Sequence, residues 1–200
     1  MLDTLQKALT EQLRDLYSAE NQLVKALPKM AKAASTPALR DAITSHLEET
    51  RTHVERLEQA ADMLHFKPGG KRCKAMTGLI EEGSEVFDEE GNESVIDLAL
   101  IAAAQRVEHY EIAAYGTAIA HARLLEQEDV VELLEESLGE EKAADEKLTE
   151  IAESVVNLEA ANENEGEGEE DDSSSRRRFP SSSMRSSAAN QSRRRASGRR

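Results

Sequence analysis

The sequence predicts an all-α protein built around four long helices. Apolar residues recur every three or four positions, and no stretch alternates with period two for long. Start and stop signals divide this pattern into four long segments and one short one. The first helix should cover about residues 3–34, with Leu9, Leu13, Leu16, Tyr17, Leu23, Val24 and Leu27 on its buried stripe. Pro28 lacks an amide hydrogen and predicts a kink. Thr36 is placed to cap the second helix and Pro37 to open it, a pairing that suits a helix start. That helix should run to about His65 and stop before Lys67-Pro68-Gly69-Gly70.

Residues 71–91 hold a shorter amphipathic piece, CKAMTGLIEEGSEVF, closed by Gly91. Asn92 or Ser94 then caps a long Ala-rich helix to about Glu126, and a last helix spans about 129–157. A short link joins the third and fourth long helices, which makes them antiparallel neighbours. The connection between the second and third is much longer, so the second half returns across the bundle. This is the one-crossover topology of ferritin-like four-helix bundles, with a short fifth helix in the crossover.

Composition sets the domain limits. The chain has 200 residues, 40 acids against 25 bases, and a net charge of −15. From Glu159 onward only 7 of 42 residues are hydrophobic, too few to bury a core. Residues 1–158 therefore form the expected domain, and 159–200 an expected disordered tail, acidic over 159–172 and Arg/Ser-rich over 173–200. The acidic domain disfavours nucleic acid and anionic membrane. The clusters Arg176–Arg178 and Arg193–Arg195 suit a polyanion contact. No apolar run approaches a membrane span, and the N-terminus has no signal-peptide pattern. The lone Cys73 excludes an intrachain disulfide, so a cytoplasmic location is expected.

Acidic residues interrupt the apolar stripes. Glu20 is the only charge in the first helix's stripe. On the second helix Glu49 and His53 lie one turn apart on one face. Glu108 and Glu111 share the stripe of the third, Glu141 and Asp145 that of the fourth. Residues 45–53 and 137–145 also echo each other, with Glu49 matching Glu141 and His53 matching Asp145. Burying one unpaired carboxylate costs several kcal/mol or forces its pKa up. Burying six demands positive charge, and the bases lie elsewhere on their helices. Two divalent cations would supply it. Carboxylates with one imidazole suit iron or manganese. His46, His65, His109 and His121 read as surface or core histidines and Cys73 as a structural thiol; Tyr17 and Tyr115 lie nearly on the stripes and read as core tyrosines, with a supporting or electron-relay role at the site as the alternative.

The strings LYSAENQLVKALPKMAKAA, SHLEETRTHVERLEQ, CKAMTGLIEEG, ALIAAAQRVEHYEIAAYGTA and LGEEKAADEKLTEIA occur in this order and resemble the YciE/YciF-type ferritin-like stress proteins. The resemblance covers residues 3–156. It implies a rubrerythrin-like dinuclear metal site and a homodimer, but no settled activity. Matched to the ferritin-like pattern, the first-helix Glu is Glu20, the second-helix Glu and His are Glu49 and His53, and the Glu-x-x-Glu of the third is Glu108 with Glu111. On the fourth, Glu141 is present and Asp145 stands where a His is usual. The spacing of Glu to His is four rather than three, and the missing His makes the site more anionic.

The function expected is binding of two iron or manganese ions that react with peroxide or oxygen, in a stress response or iron handling. Glu49 and Glu141, with Glu108 or Glu111, are the expected shared ligands, and Glu20, His53 and Asp145 the terminal ones. The alternative expectation is a non-enzymatic helical interaction protein whose Arg-rich tail holds a polyanion.

Overall fold

A computed structural model describes residues 3–87 and 89–167, with side chains described up to residue 155. It contains five helices, and no strand occurs among the described residues: α1 Leu5–Ala33, α2 Pro37–Met63, α3 Lys74–Ser84, α4 Glu93–Leu124 and α5 Glu128–Glu167. One compact unit ends at Glu163. The expected tail over 173–200 lies outside the described residues.

The caps explain most boundaries. Thr4 accepts the Lys7 amide at 3.2 Å and opens α1, which continues through Pro28 because that residue sits on the exposed face. Of the two candidates for α4, Asn92 is the cap, accepting from the amides of Ser94 and Val95. α2 and α4 end alike: the amide of Phe66 reaches the carbonyl of Ala61, and that of Gln127 reaches Ala122, both at 3.0 Å. His65 and Glu126 supply the left-handed residue that this motif needs, at φ 56° and 59°. α5 runs past its expected end near residue 157. Its extension is rich in Ala and Glu, and no glycine interrupts it before Gly166.

Two apolar clusters make up the core. One gathers Leu23, Leu27, Ile43, Leu47, Leu100, Ala104, Leu148 and Ile151 with Met76 of α3. The other gathers Leu9, Leu13, Leu57, Ala60, Ile119, Ala122, Val131 and Leu134. Each cluster takes one end of α1 and α5 and the opposite end of α2 and α4, so α1 is antiparallel to α2 and α4, and α5 is antiparallel to α4. The crossover brings the chain back along the bundle, and α3 packs on α1 and α4. Gly83 permits that close approach, because a Cβ there would stand 3.3 Å from the Ala103 Cβ. This is the ferritin-like arrangement.

A buried carboxylate fastens one end of the bundle. Asp97 of α4 accepts the amides of Ser35 at 2.9 Å and Thr36 at 2.7 Å, and also the Thr36 hydroxyl. Thr36 occupies the expected N-cap position of α2, but its hydroxyl turns to Asp97 instead of to its own helix. Asp97→Ala should leave two half-buried amides without an acceptor and cost about 2–4 kcal/mol. Urea unfolding followed by circular dichroism measures this, and an unchanged midpoint would count against the role.

Candidate metal centre

The two apolar clusters stop short of each other. Between them lies a layer of buried polar side chains: Glu20 from α1, His46, Thr50 and His53 from α2, Glu108 and Glu111 from α4, and Ser137 and Glu141 from α5. Ligand atoms of His46, Glu108, Glu111 and Glu141 all lie within 4.8 Å of one another, as do those of Glu20, His53 and Glu141. Glu141 belongs to both groups and joins them.

These atoms point at each other without satisfying each other. Glu20 Oε2, His46 Nε2, His53 Nδ1, Glu108 Oε2 and both carboxylate oxygens of Glu111 and Glu141 lack a hydrogen bond of acceptable geometry. Among the described residues, His121 Nδ1 is the one such buried side-chain atom outside the layer. His53 Nδ1 approaches Glu141 Oε1 at 3.0 Å. Buried donors and acceptors are nearly always paired, so this cluster of orphaned atoms requires a reason. Its chemistry fits a metal: carboxylate oxygens and imidazole nitrogens are suitable ligands for hard or borderline divalent ions. The buried His and Glu groups can therefore hold a metal ion.

Electrostatics says the same. Burial draws Glu108 and Glu111 well above the ordinary carboxylate range, with neighbouring carboxylates adding to it, and raises Glu20. Burial also opposes the ionised form of Glu141, yet contacts with His53 and His46 hold its pKa below normal. Burial disfavours charge on the two imidazoles, but the surrounding acids outweigh it and push His46 up to about 9 and His53 to about 11. The bare layer thus relieves its charge by gathering protons.

Outer groups turn the imidazoles. His53 aims Nδ1 inward while its Nε2 meets Glu140 at 2.8 Å, and Arg56 holds Glu140 from behind. His46 aims Nε2 at Glu108 and Glu141, at 3.5 and 3.6 Å, while Nδ1 faces Glu49 at 3.3 Å. An outer carboxylate that fixes a ring in this way is a common companion of metal-binding histidines. Tyr115 is fully buried and donates to Glu20 Oε1 at 2.5 Å. Tyr17 instead donates to Glu58, away from the layer.

Of the residues singled out from sequence, the structure brings together Glu20, His53, Glu108, Glu111 and Glu141. Glu49 stands behind His46 with its side chain 42% exposed. Asp145 accepts from Gln105 at 3.1 Å and faces His109 at 3.6 Å, outside both groups. From sequence alone Glu140 is not singled out, His46 reads as an ordinary histidine, and Tyr115 reads as a core tyrosine in preference to a group supporting the site. A seven-residue line would have found His46 and Tyr115, since seven steps return to within about 20° of the same direction. Leu39-His46-His53-Ala60 and Ile101-Glu108-Tyr115-Ala122 are such lines, as are Leu13-Glu20-Leu27 and Leu134-Glu141-Leu148, and every member is buried.

Comparisons with known proteins show the family and the fold. Residues 4–161 match the model of a family described as a domain of unknown function, DUF892. The chain belongs to that family. Protein YciF of Escherichia coli (strain K12) is 46% identical over 162 residues, covering 80% of this chain and 98% of the relative. The crystal structure of that E. coli stress protein superposes with a TM-score of 0.75 over 78% of this chain and 98% of its own. YcfI of Rhodopseudomonas palustris is 48% identical with a TM-score of 0.72, covering 74% and 94% of the two chains. No helix among the described residues is long and apolar enough to cross a membrane, in keeping with a DUF892 chain that folds as a bundle.

A pH dependence follows from the histidines. Their folded pKa values are raised, so protonation stabilises the metal-free protein fully below about pH 6.5, the ordinary imidazole value. That contribution should be lost as pH rises through about 9, where His46 gives up its proton. The urea midpoint of metal-free protein should therefore fall between pH 6 and pH 9. A midpoint that rises over that interval would contradict the assignment.

Proposed function

We propose that the chain is a dinuclear metal protein. Glu20, His53 and Glu141 would hold one ion, and His46, Glu108, Glu111 and Glu141 the other. The observation that carries this reading is the set of orphaned oxygen and nitrogen atoms, contributed by all four long helices, at one depth in the bundle. Iron or manganese is the proposed occupant, since the donor set is oxygen-rich with two imidazoles and no thiolate. A redox-active metal pair would supply electrons for the reduction of peroxide or oxygen.

The protein's own groups have definable roles. Glu108 and Glu111 give up protons as the ions enter, which keeps the filled layer close to neutral. Glu140 and Arg56 keep His53 turned inward, and Glu49 does the same for His46. Tyr115 holds a proton at Glu20, and burial together with Glu20 and Glu141 drives its pKa well up, so it remains a donor. The apolar clusters above and below keep most of the layer out of contact with bulk water. The E. coli relative is described as a stress protein, which supports a role in stress response or iron handling. The proposal extends to a cytoplasmic homodimer, supported by the family resemblance and by a single, buried, free Cys73.

Elemental analysis of full-length protein purified without chelator tests the reading. The wild type should carry close to two iron or manganese ions per chain, and Glu141→Ala should lose both. Glu49→Ala should retain them while binding more weakly, by about ten- to a hundredfold, as outer groups do. Metal content unchanged in Glu141→Ala would sink the site. Loading should also acidify a weakly buffered solution at pH 7, because His46 and Glu108 must surrender protons. A pH electrode reads that release directly.

A further inference from the structure

Above the metal layer, on the side of α1's C-terminal half, the bundle is not filled. A cavity of about 490 Å³ opens between α2 and α5 and reaches inward to the layer. Its walls are Leu27, Met30, Ile43, Ala104 and Leu148, drawn from all four long helices. Small residues make the space: Ala42 on α2, Ala104 on α4, Ala143 and Ala144 on α5 stand where larger side chains would close the seam. His46 and Glu108 form the floor. Both are more than nine-tenths buried, and their Nε2 and Oε2 atoms lack hydrogen-bond partners. The volume falls within the range of pockets that bind small organic molecules, and the pattern of apolar walls with few polar groups is theirs also.

The lining also selects among occupants. It contains no Phe, Tyr or Trp, and its one ring, the His46 imidazole, faces the layer, so it offers little to stack on a planar heterocycle. The rim holds Asp41, Glu49 and Lys147, and Lys147 already pairs with Glu150 at 3.0 Å. An anionic head would meet repulsion from Asp41 and Glu49, whereas a hydroxyl or carbonyl could bond to Ser45 or Lys147 at the rim. A protein segment is too wide for a slot that ends on two side chains of the buried layer.

We propose that this cavity binds a neutral aliphatic molecule, such as a medium-chain alcohol, with its polar head at the rim and its chain end against His46 and Glu108. The inference rests on the metal reading for what the bound chain end faces, and on the cavity alone for binding. It makes the layer a site that meets an organic molecule as well as an oxidant.

Calorimetric titration of the full chain, metal-free and manganese-loaded, with n-octanol and with octanoate tests this. Saturable one-to-one binding of n-octanol is expected, with octanoate weaker by about tenfold or more, as repulsion worth about 1.4 kcal/mol would give. Ala42→Leu and Ala144→Leu each fill part of the space at positions that are not fully buried, and leucine is a good helix former. Each should weaken n-octanol binding by about tenfold or more while helicity and metal content stay unchanged. In manganese-loaded protein the terminal methyl protons of n-octanol should relax faster than those beside the hydroxyl.

No saturable n-octanol binding, octanoate binding as tightly, or wild-type affinity in both leucine variants would overturn the proposal. Faster relaxation beside the hydroxyl would overturn the orientation and with it the assignment of the floor. The two readings fail separately. Protein that retains manganese but ignores n-octanol refutes the cavity's ligand alone. Protein that binds n-octanol at the cavity but never retains metal supports the ligand site and refutes the metal centre.

Discussion

Six ionisable side chains, Glu20, His46, His53, Glu108, Glu111 and Glu141, share one buried layer, and the rest of the structure is arranged around that constraint. Charges at this depth interact strongly and cannot be left to water. The layer interrupts what would otherwise be one continuous core, which is why the apolar residues separate into two clusters. Each cluster draws on all four long helices, so the bundle is held on both sides of the charged layer. Asp97 adds a polar fastening at one end, tying the α1–α2 turn to α4. The layer can be electrostatically costly because the structure either side of it does not depend on it.

The same constraint explains the groups around the layer. An imidazole has two nitrogens, and one can face the layer only if the other is satisfied outside it. Glu140 with Arg56 answers for His53, and Glu49 answers for His46. Tyr115 performs the corresponding task for a carboxylate, donating to one oxygen of Glu20 and leaving the other turned inward. Removal of any of these would free a ring or a carboxylate to rotate, with the cost appearing as looser positioning at the layer. Without metal, protons compensate the carboxylates. With metal, the cations would take over that role.

Much of this was legible in the sequence, for physical reasons that particular residues show. The helices were readable because periodicity and caps agree: Pro37 opens α2, Asn92 caps α4, and the run before Lys67-Pro68 ends where α2 ends. Glu20 and Glu141 were readable because each is flanked seven residues away on both sides by leucine. His46 was not, because a histidine on an apolar face can be an ordinary core residue, and its neighbour Glu49 offered a more familiar ligand. Four residues rotate about 40° past a full turn. For Glu49 relative to His53, and Asp145 relative to Glu141, that rotation separates a partly exposed flank from the buried seam. Glu111 tolerates the same offset because α3 covers that side of the bundle and widens the buried face of α4.

The internal echo between residues 45–53 and 137–145 shows how far sequence symmetry can be trusted. It aligns Glu49 with Glu141, yet Glu141 sits at the centre of the layer and Glu49 at its edge. Two helices that enter a bundle from opposite ends meet different neighbours, so matching sequences need not occupy matching roles. On α2 the buried line passes through the two histidines, and on α5 it passes through Glu141. One helix therefore supplies both imidazoles and its counterpart the shared carboxylate. That division of labour places both imidazoles beside Glu141, the acid whose pKa they hold below normal.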